Sequence, residues 1–160
     1  GAHKSGLIGE DPNDIPNNLM PFILKVAKKN NLTNNLENIY DSLSIFGNNY
    51  ETNDGTCERD FIHVVDLAKA HVKSCDKIGK FNNYETFNIG TGNPISVLQL
   101  VNTFIKINKI KLPYTFKEKR EGDNSKIYCN SNKALKMLNW KSEYDINHIC
   151  KDSYNFIKKN

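Results

Sequence analysis

The chain has 160 residues and a mass of 18.3 kDa, enough for one domain and too little for two of ordinary size. Hydrophobic residues make up 38% and charged residues 25%, the balance of a folded protein rather than a disordered tail. No apolar run reaches the length of a membrane span, the opening Gly1-Ala2-His3-Lys4-Ser5-Gly6 has no signal-peptide pattern, and the +4 charge is scattered without a basic run, so membrane, secretory and dedicated nucleic-acid-binding classes are not expected.

Residues 1–18 are turn-rich, with Gly6, Gly9, Pro12 and Pro16 and neither a helical nor a strand period. A first helix is predicted over 19–29, with Pro21 in its first turn and Phe22, Ile23, Val26 and Ala27 as its apolar stripe. The polar tract from Asn30 to Asn38 reads as a surface loop. Leu43-Ser44-Ile45-Phe46 predicts a short buried strand, and Asn48 to Gly55 a loop with a turn at Asp54-Gly55. Arg59 to Val65 starts extended and leads into Asp66, a good N-cap, whose helix places Leu67, His71, Cys75 and Ile78 on one face. Thr86 to Ile89 is a further predicted strand, closed by Gly90-Thr91-Gly92. Ser96 and Gln99 have capping-box spacing, and Val97, Leu100, Val101, Phe104 and Ile105 continue a helix of clear 3.6-residue period. Strands at 114–117 and 127–129 flank a polar segment, and helices follow over 131–138 and 145–158. The alternation predicts an α/β class, with too few strands for a complete doubly wound sheet.

The chemistry-bearing residues are sparse. Gly90-Thr91-Gly92 lacks the third glycine of a dinucleotide fingerprint, because Pro94-Ile95 takes its place, and reads as a structural turn. The sequence contains no P-loop, no Gly-x-Ser-x-Gly, no His-Glu-x-x-His and no Tyr-x-x-x-Lys. His63 and His71 lie among apolar residues and read as core histidines, and His148 has no triad spacing. Cys57, Cys75, Cys129 and Cys150 have no zinc-ligand spacing and read as reduced thiols of a cytoplasmic protein. No metal site and no catalytic residue is therefore expected within these 160 positions.

A compositional bias points elsewhere. Asn occurs 24 times, and of the 22 Lys and Arg residues only Arg59 and Arg120 are arginine. Arginine offers a planar fork that binds a carboxylate or phosphate through two bonds, which lysine cannot copy. Both could be ordinary salt-bridge residues. Alternatively, Arg120-Glu121-Gly122-Asp123 and Arg59-Asp60 could converge, two forks suiting a diphosphate and a carboxylate suiting sugar hydroxyls. Asn17-Asn18 before Leu19 would add amides at a helix start, where anions are welcome.

These same segments carry a family resemblance. Gly1-Ala2-His3, Ile8-Gly9-Glu10-Asp11-Pro12, Pro16-Asn17-Asn18-Leu19-Met20-Pro21, Ile45-Phe46-Gly47, Arg59-Asp60-Phe61-Ile62-His63, Asn88-Ile89-Gly90-Thr91-Gly92 and Arg120-Glu121-Gly122-Asp123 resemble, in order and spacing, the UDP-glucose 4-epimerases. These are a branch of the extended short-chain dehydrogenase/reductases. The resemblance implies that residues 1–160 are the C-terminal UDP-sugar-binding portion of such an enzyme. The fold would be part of an NAD(P)-binding Rossmann-type protein, with most of the parallel sheet missing.

The resemblance also assigns roles. Asn17, Asn18 and Leu19 would contact substrate, and Ser44-Ile45-Phe46 would hold uracil, with the aromatic ring against the base. Arg59 and Arg120 would clasp the diphosphate, and Glu121-Gly122-Asp123 would bring a carboxylate to the ribose. Ile127 stands where the family varies between a small residue and tyrosine, a choice that decides entry of N-acetylated sugars.

UDP-glucose and UDP-galactose would be the substrates, interconverted through a 4-keto sugar and bound NAD. The catalytic Tyr-x-x-x-Lys and the NAD loop would lie in an N-terminal half upstream, and the complete enzyme would be a homodimer. Two departures stand out: Cys57 replaces a glycine usual in the family, and the Asn-rich insertion follows Lys29. Other readings are a different nucleotide-sugar enzyme of the superfamily, or a non-catalytic remnant that binds nucleotide sugars.

Overall fold

The computed structural model describes residues 1–13, 15–32, 41–81 and 83–160. Helix α1 spans Leu19–Asn31, strand β1 Leu43–Phe46, strand β2 Glu58–Arg59 and helix α2 Val64–Cys75. A 3-10 turn at Ile78–Lys80 precedes strand β3 (Ile95–Ser96), helix α3 (Val97–Asn108) and strand β4 (Tyr114–Lys117). Strand β5 (Lys126–Ile127), helix α4 (Asn132–Leu138) and helix α5 (Ile146–Lys159) complete the α/β order.

The strands form two small sheets. In the first, β1 runs parallel to β4, with Leu43 opposite Tyr114 and Phe46 opposite Lys117. In the second, β2 is central, antiparallel to β3 and parallel to β5, so that Arg59 lies between Ile95 and Ile127. Parallel partners need a crossover rather than a hairpin, and the connection from β1 to β4 carries α2 and α3.

The apolar stripes decide where the core sits. Ile23, Val26 and Ala27 of α1, Ile45 of β1, Leu100, Val101 and Phe104 of α3, and Cys150 and Tyr154 of α5 belong to one buried cluster. Phe104 and Tyr154 meet edge to face at 5.9 Å, the arrangement that ring quadrupoles favour. Helix α3 begins as its sequence predicts, Ser96 Oγ accepting the Gln99 N–H at 2.9 Å. The turn-rich start closes on itself through a bridge between Ala2 and Gly9 and meets α5, where the Asn155 amide donates to the Lys4 carbonyl at 3.0 Å. A Cβ at Gly9 would stand 2.5 Å from the Phe156 ring, so only glycine permits this approach. Ala70, Ala134, Leu138 and Trp140 form a smaller cluster where α2 meets α4.

Helix α2 departs from expectation. Its N-cap is His63, whose Nδ1 accepts the Val65 N–H at 3.1 Å, and Asp66 lies buried in the first turn. The Asp66 carboxylate does accept backbone N–H groups, but those of Glu143 and Tyr144, at 3.0 and 2.9 Å. Its backbone carbonyl accepts the Trp140 Nε1–H at 3.0 Å. The predicted face of Leu67, His71, Cys75 and Ile78 is not the buried one. Asp66 and Ala70 are buried, whereas His71 and Cys75 are exposed and Ile78 is 74% exposed. Alanine carries little weight in an apolar period, so a face built on Ala70 against Ala134 is outvoted by larger residues that stay outside. His71 is thus no core histidine; its Nδ1 faces the Leu67 carbonyl at 2.8 Å.

Three smaller corrections have physical causes. Thr86 to Ile89 pairs with no described strand; Phe87 and Ile89 pack on the smaller cluster instead, an outcome with the same apolar pattern. Strand β5 covers Lys126–Ile127 rather than 127–129, because the Cys129 N–H turns to the Asp60 carboxylate at 3.3 Å. Helix α1 continues past Lys29 to Asn31, whose amide donates to the Lys111 carbonyl at 2.8 Å and accepts its N–H at 3.1 Å. The expected loop beyond Leu32 falls on residues outside the described set.

His63 makes stability depend on pH. Its Nδ1 accepts at the helix cap, so Nε2 carries the proton and faces Asp152 Oδ2 at 3.3 Å, while the ring stacks on Tyr144 at 4.5 Å. Burial pushes its pKa down, Asp152 and Asp66 oppose this, and His148 adds to the lowering. The unfolded chain binds that proton near pH 6.5 and the folded one only lower, so the unfolded state holds more protons between the two values. The contribution is therefore complete above about pH 6.5 and is lost as the pH falls from there through the lower folded-state value. Thermal melts from about pH 8 to pH 5.5 should show a declining Tm across this window. H63N, which keeps a capping acceptor, should flatten the decline; equal slopes in both proteins would contradict the assignment.

Candidate functional site

Of the connections that cross between the two sheets, residues 118–125 leave β4 beside β1 and enter β5 beside β2. Because Lys117 pairs with Phe46, Arg120 emerges next to the end of β1; because Ile127 pairs with Arg59, Asp123 and Asn124 arrive next to β2. Lys119 fixes the strap, donating to the Asn49 carbonyl at 2.9 Å and lying over the Tyr50 ring at 4.4 Å. Between this strap and the start of α1 opens a cleft of about 520 Å³.

Nine of the twelve residues singled out above line it. Asn17, Asn18 and Leu19 come from the start of α1; Ser44, Ile45 and Phe46 from β1; Arg59 from β2; Arg120 and Asp123 from the strap. Glu121 and Gly122 are exposed at the apex of the strap, outside the lining, and Ile127 is 49% exposed on β5, also outside it. Phe22, Val26, Ser42, Leu43, Cys57, Phe61 and Val97 complete the wall and were not anticipated there. Leu19, Phe22 and Val26 stand at i, i+3 and i+7 of α1, so a helical-face argument extended from Leu19 would have found two of them.

The polar groups are held unequally. One Arg59 nitrogen donates to the carbonyls of Glu58 and Asn124 at 2.9 and 2.8 Å, and the other lies 3.6 Å from Asp123 Oδ1. The Arg120 guanidinium instead rests on the face of Phe46, 3.8 Å from the ring centroid. Asn18 donates to Glu10 Oε1 at 3.1 Å, leaving its carbonyl oxygen to accept. The Asn18 side chain makes no capping bond to α1, and the positive end of the helix dipole meets the cleft wall. Behind the wall Tyr50 Oη is buried, with no hydrogen bond of normal geometry among the described residues. The adjacent Cys57 thiol, burial and nearby Asp123 push that phenol up to about 12.

Asp60 belongs to a different place. Its carboxylate accepts the Thr91 N–H and hydroxyl at 2.9 and 2.6 Å, the Gly92 N–H at 2.9 Å and the Cys129 N–H at 3.3 Å. Burial alone would raise its pKa, but these bonds hold it below the ordinary carboxylate range. A Cβ at Gly90 would stand 2.6 Å from Asp60 Oδ2 and from Cys129 Sγ, so glycine is needed there for the carboxylate to reach the turn. The Gly90-Thr91-Gly92 turn is thus structural, its N–H groups being directed at Asp60, and the Arg59-Asp60 pair does not converge on the cleft.

A family model described as GDP-mannose 4,6 dehydratase matches residues 25–153, and the chain belongs to that family. Within it the similarity is to epimerases: a UDP-glucose 4-epimerase from Bacillus subtilis is 43% identical over the whole chain, which covers 44% of that protein. The structure of UDP-glucose 4-epimerase from Bifidobacterium longum in complex with NAD+ and UDP matches with a TM-score of 0.85 at 40% identity. That match covers 100% of this chain and 45% of the other. A UDP-glucose 4-epimerase from Stenotrophomonas maltophila, with bound NAD and formylated UDP-arabinopyranose, gives 0.89 at 35% identity, covering 99% and 45%. The chain therefore spans less than half the length of the relatives it matches. The expected Rossmann-type α/β kinship is borne out.

D60N should loosen the turn without touching the cleft. An amide in place of the carboxylate brings a donor against N–H donors, and losing bonds to a charged acceptor costs about 1.5–3 kcal/mol. Urea unfolding should show that loss. A midpoint equal to wild type would refute the role of Asp60.

Proposed function

We propose that this chain supplies the UDP-sugar site of a UDP-glucose 4-epimerase, the enzyme that interconverts UDP-glucose and UDP-galactose, within a longer polypeptide. The observation that carries the reading is the cleft itself, where Arg59, Arg120, Asp123 and the Phe46 ring lie together beside the start of α1, which the Asn18 side chain does not cap. A pyrimidine diphosphate needs a flat apolar contact, positive charge for the phosphates and an acceptor for ribose hydroxyls, and these groups supply all three. Arg59, already oriented by two carbonyls, presents its remaining donors to the diphosphate; Asp123 accepts from the ribose. Asn17 and Asn18 face the sugar end with amides that donate and accept. The epimerases from B. longum and S. maltophila, crystallised with UDP and a UDP-sugar, support the same ligand class.

NAD, which both of those structures contain, finds no fit among the described residues. The Gly90–Gly92 turn is the feature nearest to a dinucleotide cradle, and Asp60 takes its N–H groups. In this reading the cofactor is held by other residues of the longer polypeptide, and no bond-making step is assigned to these 160 positions. The four unbridged cysteines suit a reducing, cytoplasmic setting.

The test is UDP binding by calorimetry to the complete protein carrying this chain. R59A should weaken UDP by roughly 10–100-fold, the range for a charge-assisted bond of about 1.5–3 kcal/mol. R59K should recover only part, because a point charge replaces a fork. Unchanged affinity in R59A would remove the diphosphate assignment. Conversion of UDP-galactose to UDP-glucose by the wild type checks the activity itself.

A further inference from the structure

Arg59 and Arg120 line the same cleft but are prepared differently. Arg59 is fixed by two backbone carbonyls and an acidic neighbour. The Arg120 side chain is exposed, and among the described residues its guanidinium has no hydrogen bond or ion pair; its recorded contact is the Phe46 face, 3.8 Å away. Its backbone does not share that freedom. The strap is tied by Lys119 to Asn49, and the Asp123 N–H meets the Arg120 carbonyl at 3.4 Å. Only the side chain is free to swing.

This rests on the UDP-sugar reading above and deepens it. We infer that Arg120 is a selectivity gate: in the empty cleft its guanidinium covers the ring that a base would stack on, and only a ligand bearing both base and diphosphate moves it favourably. A cation–π contact at an exposed site is weaker than a charge-assisted hydrogen bond to phosphate. A diphosphate therefore draws the guanidinium off the ring and uncovers Phe46 for the base. A base without phosphates must displace the same cation and offers it nothing in return. Base recognition and phosphate recognition are thereby coupled through one side chain, which discriminates against uridine by a cost rather than by a missing contact.

The prediction has opposite signs for two probes. In calorimetric titrations of the complete protein, R120A should weaken UDP by tenfold or more, from the lost phosphate bonds. The same variant should strengthen uridine by about 2–5-fold, because nothing then covers the ring. Arg120 lies on the exposed strap, so its truncation leaves the core untouched. In an F46L background, R120A should leave uridine affinity unchanged, since the covered ring is gone. If R120A weakens UDP but leaves uridine unchanged or weaker in the wild-type background, the gate is refuted while the UDP site stands. If wild type binds no UDP, the site reading itself falls, and the gate with it.

Discussion

The cleft exists because two parallel ladders, each closed between residues far apart in the chain, are bridged by the strap of residues 118–125. β1 and β4 pair residues 43–46 with 114–117, and β2 and β5 pair 58–59 with 126–127. Neither ladder could form from a hairpin, so both depend on α2 and α3 packing first or together. The strap between β4 and β5 has little freedom, being held at one end by Phe46 opposite Lys117 and at the other by Arg59 opposite Ile127. A one-residue slip in either ladder would turn each side chain to the opposite face, and would separate Arg120 from Phe46 or Asp123 from Arg59. Geometry at the cleft mouth is thus a consequence of register rather than of local turn preference.

Register in such short strands needs help, and three aspartates on one stretch provide it. Asp54 accepts the Thr56 N–H and hydroxyl at 3.0 and 2.8 Å and the Ser96 hydroxyl as well, joining the loop after β1 to the start of α3. Asp60 gathers Thr91, Gly92 and Cys129, joining β2 to the chain on either side of its sheet. Asp66 takes the N–H groups of Glu143 and Tyr144 and carries the approach to α5. Each carboxylate replaces water around backbone N–H groups that no ladder or helix satisfies. Asp54 and Asp60 are held below the ordinary carboxylate range by those bonds, against the opposing effect of burial. The irregular segments gain from these staples what the short strands cannot provide.

Much of the fold was legible from pattern alone. The period of Val97, Leu100, Val101 and Phe104 with the Ser96–Gln99 cap identified α3, because amphipathic spacing and a local cap report the same element. Nine residues named from sequence meet in the cleft: Asn17, Asn18, Arg59, Arg120 and Asp123 stood out by residue type, whereas Leu19, Ser44, Ile45 and Phe46 were named through the family resemblance. What failed depended on distant partners. Asp66 carries the chemistry of a cap, and no local reading could tell that the N–H groups it accepts belong to residues 143 and 144. Asp60 follows Arg59 directly, yet adjacent residues leave a strand on opposite sides, so the two serve different sites. The apolar back of the cleft, Cys57, Phe61 and Val97, was not singled out from sequence, because a wall and a core bury the same residue types.

The scarcity of arginine in a lysine-rich chain now has a structural cause. Arg59 binds Glu58 and Asn124 carbonyls and approaches Asp123 from one planar group; the three acceptors lie where a fork reaches them together and a tetrahedral ammonium would not. Arg120 makes a different use of the same plane, lying face-on against an aromatic ring at 3.8 Å. The lysines near rings sit farther away, as Lys69 does from Tyr144 at 5.3 Å and Lys126 from Tyr128 at 5.6 Å, which is the contact a compact hydrated charge makes. Flatness rather than charge is the property that these two positions share. A drift of codon usage that turned either into lysine would keep the formal +4 of the chain and lose the geometry, so the two positions where arginine persists mark where planarity matters.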